Sequence, residues 1–316
     1  MPYDVIIFIA SLFTVIVGAN LFVSAASSFA RVLRLPEIVV GATVVSIATT
    51  VPEMFVSFFS GIESHEGVAL GNILGSPLVN LGLIAGVVFI FAHPSHELES
   101  HGLGIRRISG LVAVSFAVLL MMLLVDVIPP LLGVGLILIA FAYLGFILWY
   151  TFADIKTRPV TVGRALVKDG RRDMIRFIIG SILLIVGAYF LVSSAATLAR
   201  MLQIPEAFIG LTFIAIGTSL PELITALVSL VRRREELALG NLAGASLLTL
   251  TLAFGIAAVS GTVRVSPQLA TVEAPLIVFF SVLMLLATLM PQRRSIFGAT
   301  LVISYGAYLV FFGVFR

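Results

Sequence analysis

The 316-residue chain has no cysteine, four histidines, one tryptophan and few charged residues, 11% of the total. Without thiols there can be no disulfide and no thiolate-held metal. His65, His93, His96 and His101 all fall in expected loops, where solvation and not metal binding is the reading for an isolated imidazole. With 60% apolar residues, the chain lacks the polar surface to coat a soluble domain. Neither H-E-x-x-H nor G-x-S-x-G occurs, which removes the metal-bound water and serine nucleophile of hydrolases, so the chain reads as a non-enzyme.

What is present is apolar sequence in long runs. Ten stretches reach the roughly 20 residues needed to span a bilayer: 3–29, 36–60, 67–92, 105–125, 128–150, 174–199, 205–231, 237–259, 268–290 and 295–314. The expected fold class is an all-α polytopic membrane protein. The first stretch has no charged n-region or small-residue cleavage site and is read as a retained helix. The stretch at 151–173 carries both charge signs and is read as a linker between units at 1–150 and 174–316.

If ten helices alternate sides, one side receives Arg31, Arg34, Arg106, Arg107, Lys156, Arg158, Arg164, Lys168, Arg171, Arg172, Arg176, Arg232, Arg233, Arg234, Arg293 and Arg294. The other receives only Arg200, Arg264 and Arg316, completing the 19 basic residues. By the positive-inside rule the basic side is cytoplasmic, which places both termini outside, with the cell membrane as the expected location. The basic pI has this explanation and gives no ground for nucleic-acid binding, and no obligatory protein partner is evident.

The segment from Pro36 to Thr43, with Pro, Glu, Gly and Thr at 36, 37, 41 and 43, recurs as Pro205, Glu206, Gly210 and Thr212, an offset of 169 residues. At that offset Thr49 matches Thr218, Pro52 and Glu53 match Pro221 and Glu222, Gly71 and Asn72 match Gly240 and Asn241, and Gly75 matches Gly244. One ungapped register over so long a stretch marks two homologous halves. Each half holds five spans, an odd number, so the second must enter from the opposite side: two inverted five-helix repeats, with the substrate expected between discontinuous helices near the midplane.

Of 16 acidic residues, 14 fall in loops or close to helix ends, Glu273 being the least clear of these. Glu53 and Glu222 sit in mid-span, where a charged side chain costs about 2.5–3.5 kcal/mol even on insertion scales and is generally kept for function. Pro52 and Pro221 each precede a glutamate; lacking N–H, they free the carbonyls of Ala48 and Gly217 and should break the helices there. Thr49, Thr50, Thr218 and Ser219 lie within one turn of the carboxylates, and Ser76 and Asn80 put two oxygens on one face of the next span. Carboxylates, hydroxyls, an amide oxygen and freed carbonyls form a hard-cation donor set, one suited to the 6–8 oxygens of Ca2+ more than to the strict octahedron of Mg2+. Glycines four apart at 71 and 75, and again at 240 and 244, also have a plain packing reading.

Gly41 to Glu53 with Gly71 to Asn80, and Gly210 to Glu222 with Gly240 to Thr249, resemble the two alpha-repeats of the cation/Ca2+ exchanger superfamily. The string Gly217-Thr218-Ser219-Leu220-Pro221-Glu222 is similar to the prokaryotic sodium/calcium exchanger branch. The resemblance implies a ten-helix antiporter in which Glu53 and Glu222 share Ca2+ with oxygens near Thr49 and Thr218, Na+ draws also on Thr50, Ser76 and Ser219, and spans 1 and 6 slide past the core. Two departures stand out. Ala245 and Thr249 occupy positions where such members carry Ser and Asp, and Ala48-Thr49-Thr50 replaces Gly-Thr-Ser. Thr249 stays in the candidate metal set, but the thinner second half leaves H+ open beside Na+ as counter-ion. A cation channel is the third reading, and the paired, proline-broken helices favour a carrier over it.

Charge counting gives the same picture of exchange. Two buried carboxylates close together require a cation between them; one Ca2+ or two monovalent ions restore neutrality, and a carrier that crosses only when loaded is an exchanger.

Overall fold

Where backbone polar groups meet hydrocarbon they must be satisfied within the segment, and this chain does so with helices. The computed structural model describes residues 2–33, 35, 37–62, 66–92, 102–156, 170–201, 218–265, 267 and 269–315. In order these form α1 (Pro2–Leu33), α2 (Glu37–Thr49), α3 (Val51–Ile62), α4 (66–91), α5 (Gly102–Leu124), α6 (Pro130–Lys156), α7 (Gly170–Met201), α8 (Leu220–Val231), α9 (Glu235–Ser260), α10 (Leu269–Leu289) and α11 (Arg294–Phe315). Two short strands, β1 (Val127–Ile128) and β2 (Val263–Arg264), pair antiparallel at one end.

Among the described residues seven helices are long and apolar enough to cross a membrane, and the bent pair α2 and α3 makes an eighth. Ile108–Leu124 and α8 are apolar but shorter. The expected span at 205–231 is described only from 218 onward, and Pro205, Glu206, Gly210 and Gly217 lie outside the described residues, as do all four histidines. Of the expected linker at 151–173, α6 takes in residues up to Lys156 and α7 those from Gly170, and 157–169 lie outside the described residues.

The helices sort by what they bury. Most of α4 and α9 is buried, whereas less than a third of the most apolar stretch of α1, α6, α7 or α11 is. Those four helices turn large apolar side chains outward, among them Ile9, Phe13, Phe141, Trp149, Ile182, Phe190, Ile303 and Phe311. That inverts the soluble pattern and makes lipid the external solvent. The two 32-residue helices α1 and α7 lie along each other, with the ring of Phe22 stacked on Phe177 at 4.8 Å.

At the centre α9 runs against α2 at backbone distance. A methyl on Gly41 would overlap the Leu237 carbonyl, and one on Gly240 the Ile38 carbonyl. The packing reading of Gly240 and Gly244 therefore holds: with no side chain, the backbones approach closely enough to set residues 46–49 beside Asn241.

The ladder of these central helices is irregular. π-helical turns occupy Gly41–Val45 in α2, Val79–Ile84 in α4, Thr249–Ala253 in α9 and Leu269–Glu273 in α10. The turns in α4 and α9 fall at matching places of the repeat. Pro77 precedes the first, but Ser246 stands at its counterpart, so proline is not their shared cause. Such turns widen a helix locally and occur often at functional sites.

Candidate cation site

Both candidate glutamates sit in the first turn of a helix that begins inside the apolar layer. Thr50 is the break: α2 ends at Thr49, α3 starts at Val51, and the two axes bend by 40°. Pro52 supplies no N–H to the Ala48 carbonyl, while Thr50 N donates to Ser46 O at 2.9 Å and Met54 N to Thr50 O at 3.1 Å, closing the ladder on either side. In the second half Ser219 caps α8 with φ −85° and ψ 6°, close to the −81° and −3° of Thr50. Leu223 N donates to Ser219 O at 3.0 Å. Each carboxylate thus lies at the positive end of a half-helix, where negative charge is stabilised by about 0.3–1 kcal/mol or more when partly buried.

Glu53 and Glu222 are 1% and 0% exposed and lie within electrostatic reach of each other, and none of their four carboxylate oxygens has a hydrogen-bond donor at bonding geometry. Ser76 is the hydroxyl facing Glu53, and Thr49 the one facing Glu222. Ser76 and Thr218 share a hydrogen bond of 3.2 Å, and Thr49 Oγ1 donates to Asn241 Oδ1 at 3.1 Å. These contacts gather Glu53, Glu222, Thr49, Thr218 and Ser76 from both halves of the sequence into one cluster. Thr50 Oγ1, Ser219 Oγ and Asn80 Oδ1 are buried with no partner.

Thr249 is the exception among the expected residues. It is buried, but its hydroxyl proton is directed back to the Ala245 carbonyl at 2.9 Å.

Asn72 and Asn241 stand out in the sequence only as repeat positions. Asn72 Nδ2 donates to the Glu53 carbonyl at 3.1 Å and to Ser57 Oγ at 3.2 Å, so it braces the turn that carries the glutamate. Asn241, its counterpart, reaches across to Thr49. Their recurrence at the 169-residue offset was the available signal. Three acids expected near helix ends are buried as well: Asp173, bonded to Ser28; Glu235; and Glu273, whose Oε1 accepts from the Tyr308 hydroxyl at 3.5 Å.

Bare carboxylates buried without donors are unfavourable by several kcal/mol each unless a cation or proton accompanies them. A cluster of oxygens from hydroxyls, amides and carboxylates, with no imidazole or thiolate among the described residues, is suited to a hard cation.

Apolar, outward-facing helices around a polar centre held by broken helices define an integral membrane protein. The sodium/calcium exchanger protein family matches residues 3–149 and 173–314, and the chain belongs to that family, in its prokaryotic branch. It is 30% identical to the inner membrane protein YrbG of Escherichia coli over 82% of this chain and 80% of that protein. It is 24% identical to the sodium/calcium exchanger MaX1 of Methanosarcina acetivorans over 96% and 97%. The structure of the sodium-calcium exchanger NCX_Mj soaked with Na+ and Sr2+ superposes with a TM-score of 0.84 at 23% identity over 99% of both chains, which gives the two a common fold.

Proposed function

We propose that this transporter is a secondary-active antiporter that exchanges Ca2+ for a monovalent cation, Na+ in the first instance, by alternating access. Glu53 and Glu222 supply the charge, with Thr49, Thr218, Ser76, Thr50, Ser219 and Asn80 as oxygen donors and Thr249 at the margin. The observation that carries the reading is the pair of fully buried, unpartnered glutamates at matching helix starts of a repeat. Ca2+ between them satisfies four carboxylate oxygens at once, and two monovalent ions do so equally in charge.

The reading includes ten spans as inverted repeats at 1–150 and 174–316, joined on the cytoplasmic side, in the cell membrane with both termini outside. It is supported by membership of the family, by the sodium/calcium exchange for which MaX1 and NCX_Mj are named, and by the loop charges.

A second reading, Ca2+/H+ exchange, draws on one observation: Ala245 has no hydroxyl and Thr249 turns its own toward the Ala245 carbonyl. The second half then offers Na+ fewer ligands. Flux of 45Ca2+ into proteoliposomes under imposed Na+, K+ or H+ gradients separates the two. Uptake driven by Na+ supports the first, uptake driven by H+ alone the second, and uptake needing no counter-ion refutes both.

A further inference from the structure

A hydroxyl buried on a helix in an apolar setting ordinarily donates to the carbonyl four residues before it. Here Thr43, Ser115, Ser194, Thr249, Thr251 and Ser281 all do. Two buried hydroxyls on α8 do not. Thr225 Oγ1 and Ser229 Oγ are both 0% exposed at residue level and have no partner.

Their place on the helix is informative. At about 100° per residue, positions three and seven beyond Glu222 fall within roughly 60° of it, on one face. Beyond Pro221 and Glu222, the fully buried residues of α8 are Thr225, Ala226 and Ser229, all small or hydroxylated. Leu227 and Val231 turn outward. The helix therefore buries its polar side along about 15 Å from the glutamate to the Arg232–Arg234 turn, at roughly 1.5 Å per residue.

α3 does not repeat this pair: at the 169-residue offset Val56 stands for Thr225, and Ser60 for Ser229. The Ser57 hydroxyl, at the counterpart of Ala226, accepts from Asn72, and a methyl on Gly61 would press on Ser260 and on the Ala257 carbonyl. α3 also packs far more fully along the last part of α9 than α8 does along the last part of α4. Unpartnered buried hydroxyls on a looser seam need an explanation, and a passing ion or its water is the one that also explains the direction of the stripe.

We propose that Thr225 and Ser229 line the route by which the cation passes between Glu222 and the end of the molecule bearing Arg232–Arg234. This rests on Glu222 belonging to the transport site. The hydroxyls replace part of the ion's hydration shell in succession, each a weak ligand, so that the ion neither stalls nor crosses bare hydrocarbon.

The natural absence of cysteine makes the test direct. Thr225→Cys, Ser229→Cys and the outward-facing control Leu227→Cys are reconstituted, and a charged, membrane-impermeant methanethiosulfonate is applied to each side, with Arg233→Cys reporting the side of the arginine turn. Positions 225 and 229 should label from the side that labels 233, with labelling slowed about ten-fold by Ca2+ at ten times its Kd. Adding Glu222→Gln should remove that protection, and position 227 should show none. Labelling only from the opposite side, no labelling, or labelling indifferent to Ca2+ overturns the proposal. Should a cysteine variant misfold, Thr225→Val and Ser229→Ala serve instead: slowed flux with unchanged Tm supports the route, and normal flux overturns it. Retained Ca2+ flux in Glu222→Gln alone would instead remove the transport-site reading, so the two failures are distinct.

Discussion

At the residue scale, charge and donor geometry separate the parts of the cluster. Replacing Glu53 or Glu222 by glutamine preserves volume and the half-helix start but leaves Ca2+ facing one carboxylate. Removing one side of a buried charge pair costs about 2–5 kcal/mol, which is roughly thirty-fold or more in affinity. Both variants should therefore insert and fold with Ca2+ transport abolished; near-normal 45Ca2+ flux in either would take that residue out of the site. The monovalent sites respond to a different change. Thr249→Asp with Ala245→Ser adds a carboxylate and a hydroxyl where Thr249 now spends its proton on a backbone carbonyl. Na+ dependence should steepen while Ca2+ affinity moves less, and titrating Na+-driven against H+-driven flux checks it. An unchanged Na+ dependence at every pH would mean that 245 and 249 do not select the counter-ion. Glu53 and Glu222 were plain in the sequence because a mid-span charge has no cheap explanation. Asn72 and Asn241 were not, because an amide in an apolar run is read only from what it touches, here a freed turn and a threonine from the other half.

At the scale of the element, the broken helix was legible because proline acts locally: a missing N–H and a ring clash fix the break at residue 50 whatever surrounds it. The π turns were not, since they depend on how neighbouring helices seat against one another. The same holds for the glycines, for which packing and function could not be told apart until α2 and α9 were seen in backbone contact. Gly240→Ala would drive a methyl into the Ile38 carbonyl, which backbone cannot yield cheaply. Overpacking of this kind costs about 1–3 kcal/mol and should lower Tm and disturb the site. Gly145→Ala is the contrast, on α6 with nothing within 4 Å of the added methyl, and should be neutral or slightly stabilising because alanine favours helix by up to about 1 kcal/mol. Equal thermal shifts in the two variants would show that the close approach of α2 and α9 is not what holds the centre together.

At the scale of the whole molecule, contacts between helix ends constrain how many times the chain crosses. Two residues that touch at one membrane face must be separated by an even number of crossings. Glu37 pairs with Arg234 at 2.7 Å, and six expected spans lie between them. Arg294 donates to the Ala92 carbonyl at 2.6 Å, again across six. Ser28 bonds Asp173 across four, and β1 pairs with β2 across four, with Val265 N donating to Asp126 O at 2.8 Å. Every one of these contacts also joins ends that the arginine and lysine count had assigned to the same side, although charge and packing are independent properties. If α5 or α8 failed to cross, several of these contacts would require an odd number of crossings, which no single-sided contact permits. Single cysteines in the cysteine-free chain test the consequence. Those at Arg233 and Arg293 should react with an impermeant thiol reagent from the cytoplasmic face alone, and those at Asp126 and Arg264 from the opposite face alone. Labelling of 126 and 233 from the same side would exclude ten alternating spans, and with them the proposed inversion of the two halves.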